Sequence, residues 1–177
     1  MRLFIKNKQS IDCSTWPKSI LDELQVGYDR NIRHGALLLT AMIQQDTLSK
    51  LQEKLNEKGY AIIYDRKNIL AEQIKHLVCE MLENNRPPEE NYSQFISSRL
   101  HLNYTYLANT FSETQSVTIE QFIIIQKIEK AKKLLRYSDN SIGQIADKLH
   151  YSSIGHLSNQ FKKITGINPS EFKKQVQ

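Results

Sequence analysis

Residues 141–172 read SIGQIADKLHYSSIGHLSNQFKKITGINPSEF, and this stretch decides how the chain is understood. Its apolar residues fall at helical spacing, first Ile142, Ile145, Ala146 and Leu149, then Ile154, Leu157, Phe161 and Ile164. His150-Tyr151-Ser152-Ser153 breaks the two runs. Ser152 or Ser153 is placed to cap the second helix, because a serine oxygen accepts from the orphan amides of a first turn. Gly166 stops that helix and Pro169 opens another. Two short helices joined by a tight turn, the second ending in Lys162-Lys163, describe a helix-turn-helix unit.

One such pattern is also what an ordinary helical hairpin looks like. A second copy separates the two readings. Residues 93–122 read SQFISSRLHLNYTYLANTFSETQSVTIEQF. Ile96, Ser97 and Leu100 stand 49 residues before Ile145, Ala146 and Leu149. Leu107, Asn109, Phe111, Val117 and Phe122 stand 50 residues before Leu157, Asn159, Phe161, Ile167 and Phe172. The change of one residue falls in the turn, where length varies most freely. A repeated pattern signals a repeated unit.

These motifs resemble the DNA-binding domain of the AraC/XylS family of bacterial transcription regulators. The resemblance is carried by Ile145-Ala146, Tyr151-Ser152-Ser153, Phe161-Lys162-Lys163, Gly166 and Pro169-Ser170-Glu171-Phe172, and extends over about residues 66–174. It implies two helix-turn-helix units in one polypeptide, joined by a long helix. The periodicity places that helix at 119–137, with Ile123, Ile124, Ile128, Ala131, Leu134 and Leu135 on one face and Lys127, Glu129, Lys130 and Lys133 on the rest. Nineteen residues at ~1.5 Å each give about 28 Å. Successive major-groove faces on one side of DNA lie roughly 34 Å apart, so one chain would reach two of them.

Composition is consistent with this. Of 24 Lys+Arg and 19 Asp+Glu, residues 66–177 hold 15 and 11, and residues 1–65 hold 9 and 8. The excess of four positive charges in the second segment favours a polyanion, though it does not identify DNA by itself. Two cysteines, Cys13 and Cys79, make no disulfide framework, and Cys79 in its apolar helical run reads as a small core residue. Residues 1–11 lack the apolar core of a secretory leader, and the longest apolar run, 36–43, is too short to span a bilayer. A cytoplasmic protein without membrane contact is expected.

Residues 1–65 read as strand, helix, strand, strand, helix, strand. The strands fall near 1–6, 29–33, 36–41 and 60–64, and the helices end near Gln25 and at Gly59. Pro17 suits the first turn of the first helix, and Asp46 or Thr47 offers a cap for the second. The order describes an α+β ferredoxin-like βαββαβ domain, followed by an all-α domain at 66–177. In order and length the first domain resembles a heavy-metal-associated domain. That family holds Cu(I) between two thiolates of a CxxC loop after its first strand. Here the loop is Ser10-Ile11-Asp12-Cys13, and one thiolate is not a metal site. No metal or cofactor is expected, and no nucleophile–base pair, phosphate loop or carboxylate cluster suggests an enzyme.

On a recognition helix, the residues of the first two turns that project from the core reach base edges. With Leu107 and Phe111 inside, Tyr104, Thr105, Ala108 and Asn109 face out; with Leu157 and Phe161 inside, Gly155, His156, Asn159 and Gln160 do. The resemblance gives base-reading positions to Thr105, Ala108, Asn109, Gly155 and Asn159. Asn suits adenine, and the Thr and Ala methyls suit that of thymine. Ser153 precedes the second reader, and Lys162 and Lys163 suit phosphate. At the corresponding place the first unit carries Ser112-Glu113, and Glu113 would repel phosphate. The expected function is sequence-specific binding of double-stranded promoter or operator DNA by a regulator, with RNA polymerase as a further partner. The alternative is a protein-interaction or metal-responsive module whose DNA binding is weak or lost.

Overall fold

The computed structural model describes residues 2–7, 17–29, 36–83 and 91–176. In the first strand, β1 (Arg2–Asn7), Leu3 and Ile5 are buried while Phe4 and Lys6 are half-buried on the other face. This is the alternation of a strand with one face on a core. β1 runs antiparallel to both β2 (Ala36–Leu38) and β3 (Tyr60–Ile63), in the order β2-β1-β3. Helices α1 (Lys18–Glu23) and α2 (Gln45–Glu57) pack together, and α2 packs on β3. Leu3, Ile5, Ile20, Leu21, Leu37, Leu39, Leu51, Leu55 and Ile62 share one core.

Three expectations change here. The strand placed at 29–33 falls largely outside the described residues; what is described is one antiparallel bridge between Tyr28 and Leu39. β2 stops at Leu38, short of Ala41. The cap of α2 is Gln44, without a side-chain bond, so neither Asp46 nor Thr47 caps it. Asp46 lies inside the first turn, where a negative charge suits the helix dipole. The described part of this region is therefore a small three-stranded sheet with two helices. Ser10 to Cys13, the would-be metal loop, lies outside the described residues.

From Arg66 on, the described chain is helical. Helix α3 (Arg66–Glu83) opens on the Asp65 carboxylate, which accepts from the Asn68 amide at 2.9 Å. α4 (Tyr92–Leu100) and α5 (Tyr104–Gln115) form the first helical pair. α6 (Ile119–Tyr137) has the bounds its periodicity predicts, because Thr118 and Gln121 close a capping box at its start. α7 (Ile142–Lys148), α8 (Ile154–Thr165) and α9 (Pro169–Val176) complete the chain.

The long helix divides its apolar face between two cores. Ile119, Phe122 and Ile123 join Leu70, Ile74, Leu77, Ile96, Leu107 and Phe111. Ile128, Ala131 and Leu135 join Ile145, Ala146, Leu149, Leu157 and Phe161. Its polar face is less open than charge alone suggests. Burial holds Lys127 and Lys130 below the usual lysine range, and the Lys130 ammonium donates to the Leu82 carbonyl. Cys79 is only half-buried, which corrects its reading as a small core residue, and its sulfur lies 3.8 Å from the Gln126 carboxamide oxygen of α6.

Candidate nucleic-acid interface

The two helical pairs are built alike, down to the backbone bond that closes the first helix of each. α4 ends with His101 in the left-handed region (φ 54°), and the Leu102 amide donates to the Ser97 carbonyl. After α7, His150 is left-handed (φ 56°), and the Tyr151 amide donates to the Ala146 carbonyl. Both are the six-to-one closure of a helix C-terminus. The Asn103 carboxamide then caps α5 by accepting from the Thr105 amide at 2.8 Å. The Ser153 hydroxyl caps α8 by accepting from the His156 amide at 3.1 Å. Ser152 is thus the extra residue of the second turn. Phe111 meets Phe122 edge-on at 5.6 Å, and Phe161 meets Phe172 edge-on at 5.5 Å. α5 and α8 each end on a left-handed cap, Ser116 and Gly166.

On α5, Thr105 and Asn109 are exposed. Ala108 is half-buried and packs on the first core. Tyr104 is also half-buried, and its hydroxyl donates to the Glu120 carboxylate at 2.5 Å, tying the start of α5 to the start of α6. The most exposed large side chain of the first turn is Tyr106, which outward spacing around Tyr104 overlooks. On α8, Gly155, His156 and Asn159 are exposed. Gly155 presents backbone alone; a Cβ there would meet nothing nearer than the Ser153 hydroxyl at 3.8 Å. The His156 ring lies between the Ser152 hydroxyl and the Gln160 carboxamide, each 3.1 Å away, and stands edge-on to Tyr151. Gln160 is half-buried, with its carbonyl oxygen turned inward. Asn109, Asn159, Lys162 and Lys163 are exposed, with no side-chain partner among the described residues.

The longer second turn tucks in Tyr151, which is 7% exposed where its counterpart Leu102 is 40% exposed. Burial pushes the Tyr151 phenol up to about 12, and the Lys127 ammonium lies 5.0 Å from its ring centre. In the first unit Glu113 does not stand alone as a negative charge: the Lys67 ammonium of α3 meets its carboxylate at 2.7 Å.

The Tyr104 hydrogen bond holds the Glu120 carboxyl below the usual carboxylate range. A depressed folded value means that the bond stabilises fully above the unfolded range and is lost as pH falls through the folded value. Tyr104→Phe is therefore expected to destabilise by a few tenths to about 1 kcal/mol at neutral pH, screened by solvent. The gap from the parent should close below the carboxylate range. Thermal unfolding of both proteins from pH 7 to pH 3 checks this; a gap that is constant with pH would contradict it.

A family described as "Helix-turn-helix domain" matches residues 96–175. Among solved structures, a transcriptional regulator with an AraC-type DNA-binding domain from Chromobacterium violaceum is 21% identical, with a TM-score of 0.51, covering 57% of this chain and 89% of that one. Over residues 96–175 the chain carries a helix-turn-helix domain with the fold of that structure. The DNA-binding domain of the global transcriptional factor AdpA, solved with a target DNA, is 20% identical, with a TM-score of 0.50 over 58% of this chain and 90% of its own. At such identities the likeness is one of fold. The chain is also 26% identical over 133 residues to the uncharacterized HTH-type transcriptional regulator YtdP of Bacillus subtilis, over 75% of this chain and 16% of that protein. It is 27% identical over 141 residues to the Msm operon regulatory protein of Streptococcus mutans, over 79% of this chain and 45% of that protein. The chain thus spans less than half the length of these relatives. The matched segment runs from the middle of α4 into α9 and takes in α5, α6, α7 and α8 whole.

Proposed function

We propose that the chain is a sequence-specific DNA-binding transcription regulator that sets α5 and α8 into successive major grooves of one duplex. The observation that carries this is the repeated unit itself. Two capped helices of equal length, on equivalent aromatic cores, expose an unpartnered asparagine at the same place, Asn109 and Asn159. Thr105, Ala108, Gly155, His156 and Gln160 flank these readers, and Lys162 and Lys163 hold the backbone. Tyr104 serves by fixing the start of α5. The partner is double-stranded promoter or operator DNA, where a regulator would also meet RNA polymerase. The work is done in the cytoplasm; no described helix is long and apolar enough to cross a membrane.

Residues 1–65 are read as a separate ferredoxin-like domain, similar to heavy-metal-associated domains, with 66–177 as the reader. The central place of β1, antiparallel to both neighbours, and the Tyr28–Leu39 bridge beside β2 support that reading. Its role is protein or effector docking and not metal carriage.

Asn159→Ala tests base reading. It should lower affinity for the preferred site by about 1–3 kcal/mol and relax one or two base pairs of the selected motif. Lys162→Ala should weaken all sequences alike and flatten the salt dependence. An unchanged motif in Asn159→Ala would remove that residue from the reading set.

A further inference from the structure

The first reader lacks the basic end of the second. Counted from the buried phenylalanines, Ser112-Glu113 occupies the place of Lys162-Lys163. Lys67 fills this gap from another helix. It stands in the first turn of α3, ahead of the family-matched residues 96–175, and its ammonium reaches the Glu113 carboxylate at 2.7 Å. Both side chains are more than half exposed, at 57% and 60%. Glu113 and Tyr106 lie seven residues apart on one face of α5, with Asn109 between them. The Lys67 ammonium therefore sits at the exposed face of α5, against the side chain that stands where α8 carries Lys163.

We propose that Lys67 is the backbone-phosphate contact of the first reader, held beside α5 by Glu113 and handed to a DNA phosphate on binding. This rests on the reading of α5 and α8 as DNA readers and extends the interface into α3. The exchange is easy to make. An exposed ion pair contributes about 0–1 kcal/mol, and a phosphate offers the same ammonium a more highly charged surface. Glu113 is then a positioning residue that competes with DNA, which accounts for an acidic side chain on a DNA-facing helix.

The test uses the full chain and a duplex selected from random sequence, with binding measured against salt for that duplex and for random DNA. Lys67→Met keeps the stem and removes the charge. It is expected to cost roughly tenfold in affinity for both duplexes and about one unit of the log–log salt slope. Glu113→Gln is expected to raise affinity a few-fold, and to raise it less when Lys67 is already Met, because the competitor matters most while the cation is present. Lys67→Met with unchanged affinity and slope would overturn the proposal, and so would an equal gain from Glu113→Gln in both backgrounds. A parent protein that does not prefer its selected duplex would instead overturn the reading of the readers themselves.

Discussion

Phe161→Ala is expected to destabilise the second reader by about 3–5 kcal/mol, the usual range for deleting a buried aromatic ring. Phe161 is fully buried, and its ring meets Phe172 of α9 edge-on at 5.5 Å. The surrounding core draws on four helices, α6, α7, α8 and α9, so the space left by the ring cannot be closed by moving one of them. Whole domains are stable by about 5–15 kcal/mol, so this loss would leave α8 without a fixed seat at ordinary temperature. Phe111→Ala should do the same to α5, since Phe111 is fully buried against Phe122. Chemical denaturation reads the effect. A loss below about 1 kcal/mol for both variants would mean that the cores collapse far more easily than their packing indicates.

The second large effect concerns the joint. An insertion in α6 between Glu129 and Lys130 would break a core, because Ile128 and Ala131 both belong to it. The change of core falls between Ile123, in the first, and Ile124, packed on the second. Two alanines inserted there would turn one reader by roughly 200° relative to the other at about 3.6 residues per turn. Both could not then face one duplex. The ratio of specific to random binding should fall by roughly two to three orders of magnitude, while binding to random DNA should change little, because phosphate attraction survives misalignment. Four alanines turn the readers by roughly 400°, back to within about 40°, at an added ~6 Å. They should recover part of the ratio. Circular dichroism confirms helix content in each variant. Equal ratios in the parent and the two-residue variant would leave a single reader responsible for recognition.

The helical domain was legible because its signals are local. Ser153, one of the two serines placed to cap α8, does cap it, and Gly166 and Pro169 mark a stop and a start. The buried aromatic pairs follow from the repeat. What stayed hidden depends on residues far apart in the chain. Nothing near Glu113 announces Lys67, 46 residues earlier, and nothing near Tyr104 announces Glu120 across the turn. Outward spacing alone therefore put Tyr104 and Gln160 in the solvent face, where one is tied to α6 and the other is half-buried. The amino-terminal region was less legible for a different reason. Its strands are short, β2 spanning three residues, and a short apolar run fixes neither its ends nor its partner.

The most direct measurement of the two-reader mechanism is selection of binding sites from random duplex DNA, run on the parent, Asn109→Ala and Asn159→Ala in parallel. The parent is expected to enrich two short sequence blocks centred about 10–10.5 base pairs apart, one helical turn. Each variant should relax positions in one block and leave the other intact. A motif with one block, or variants that relax the same positions, would contradict reading by two helices of one chain.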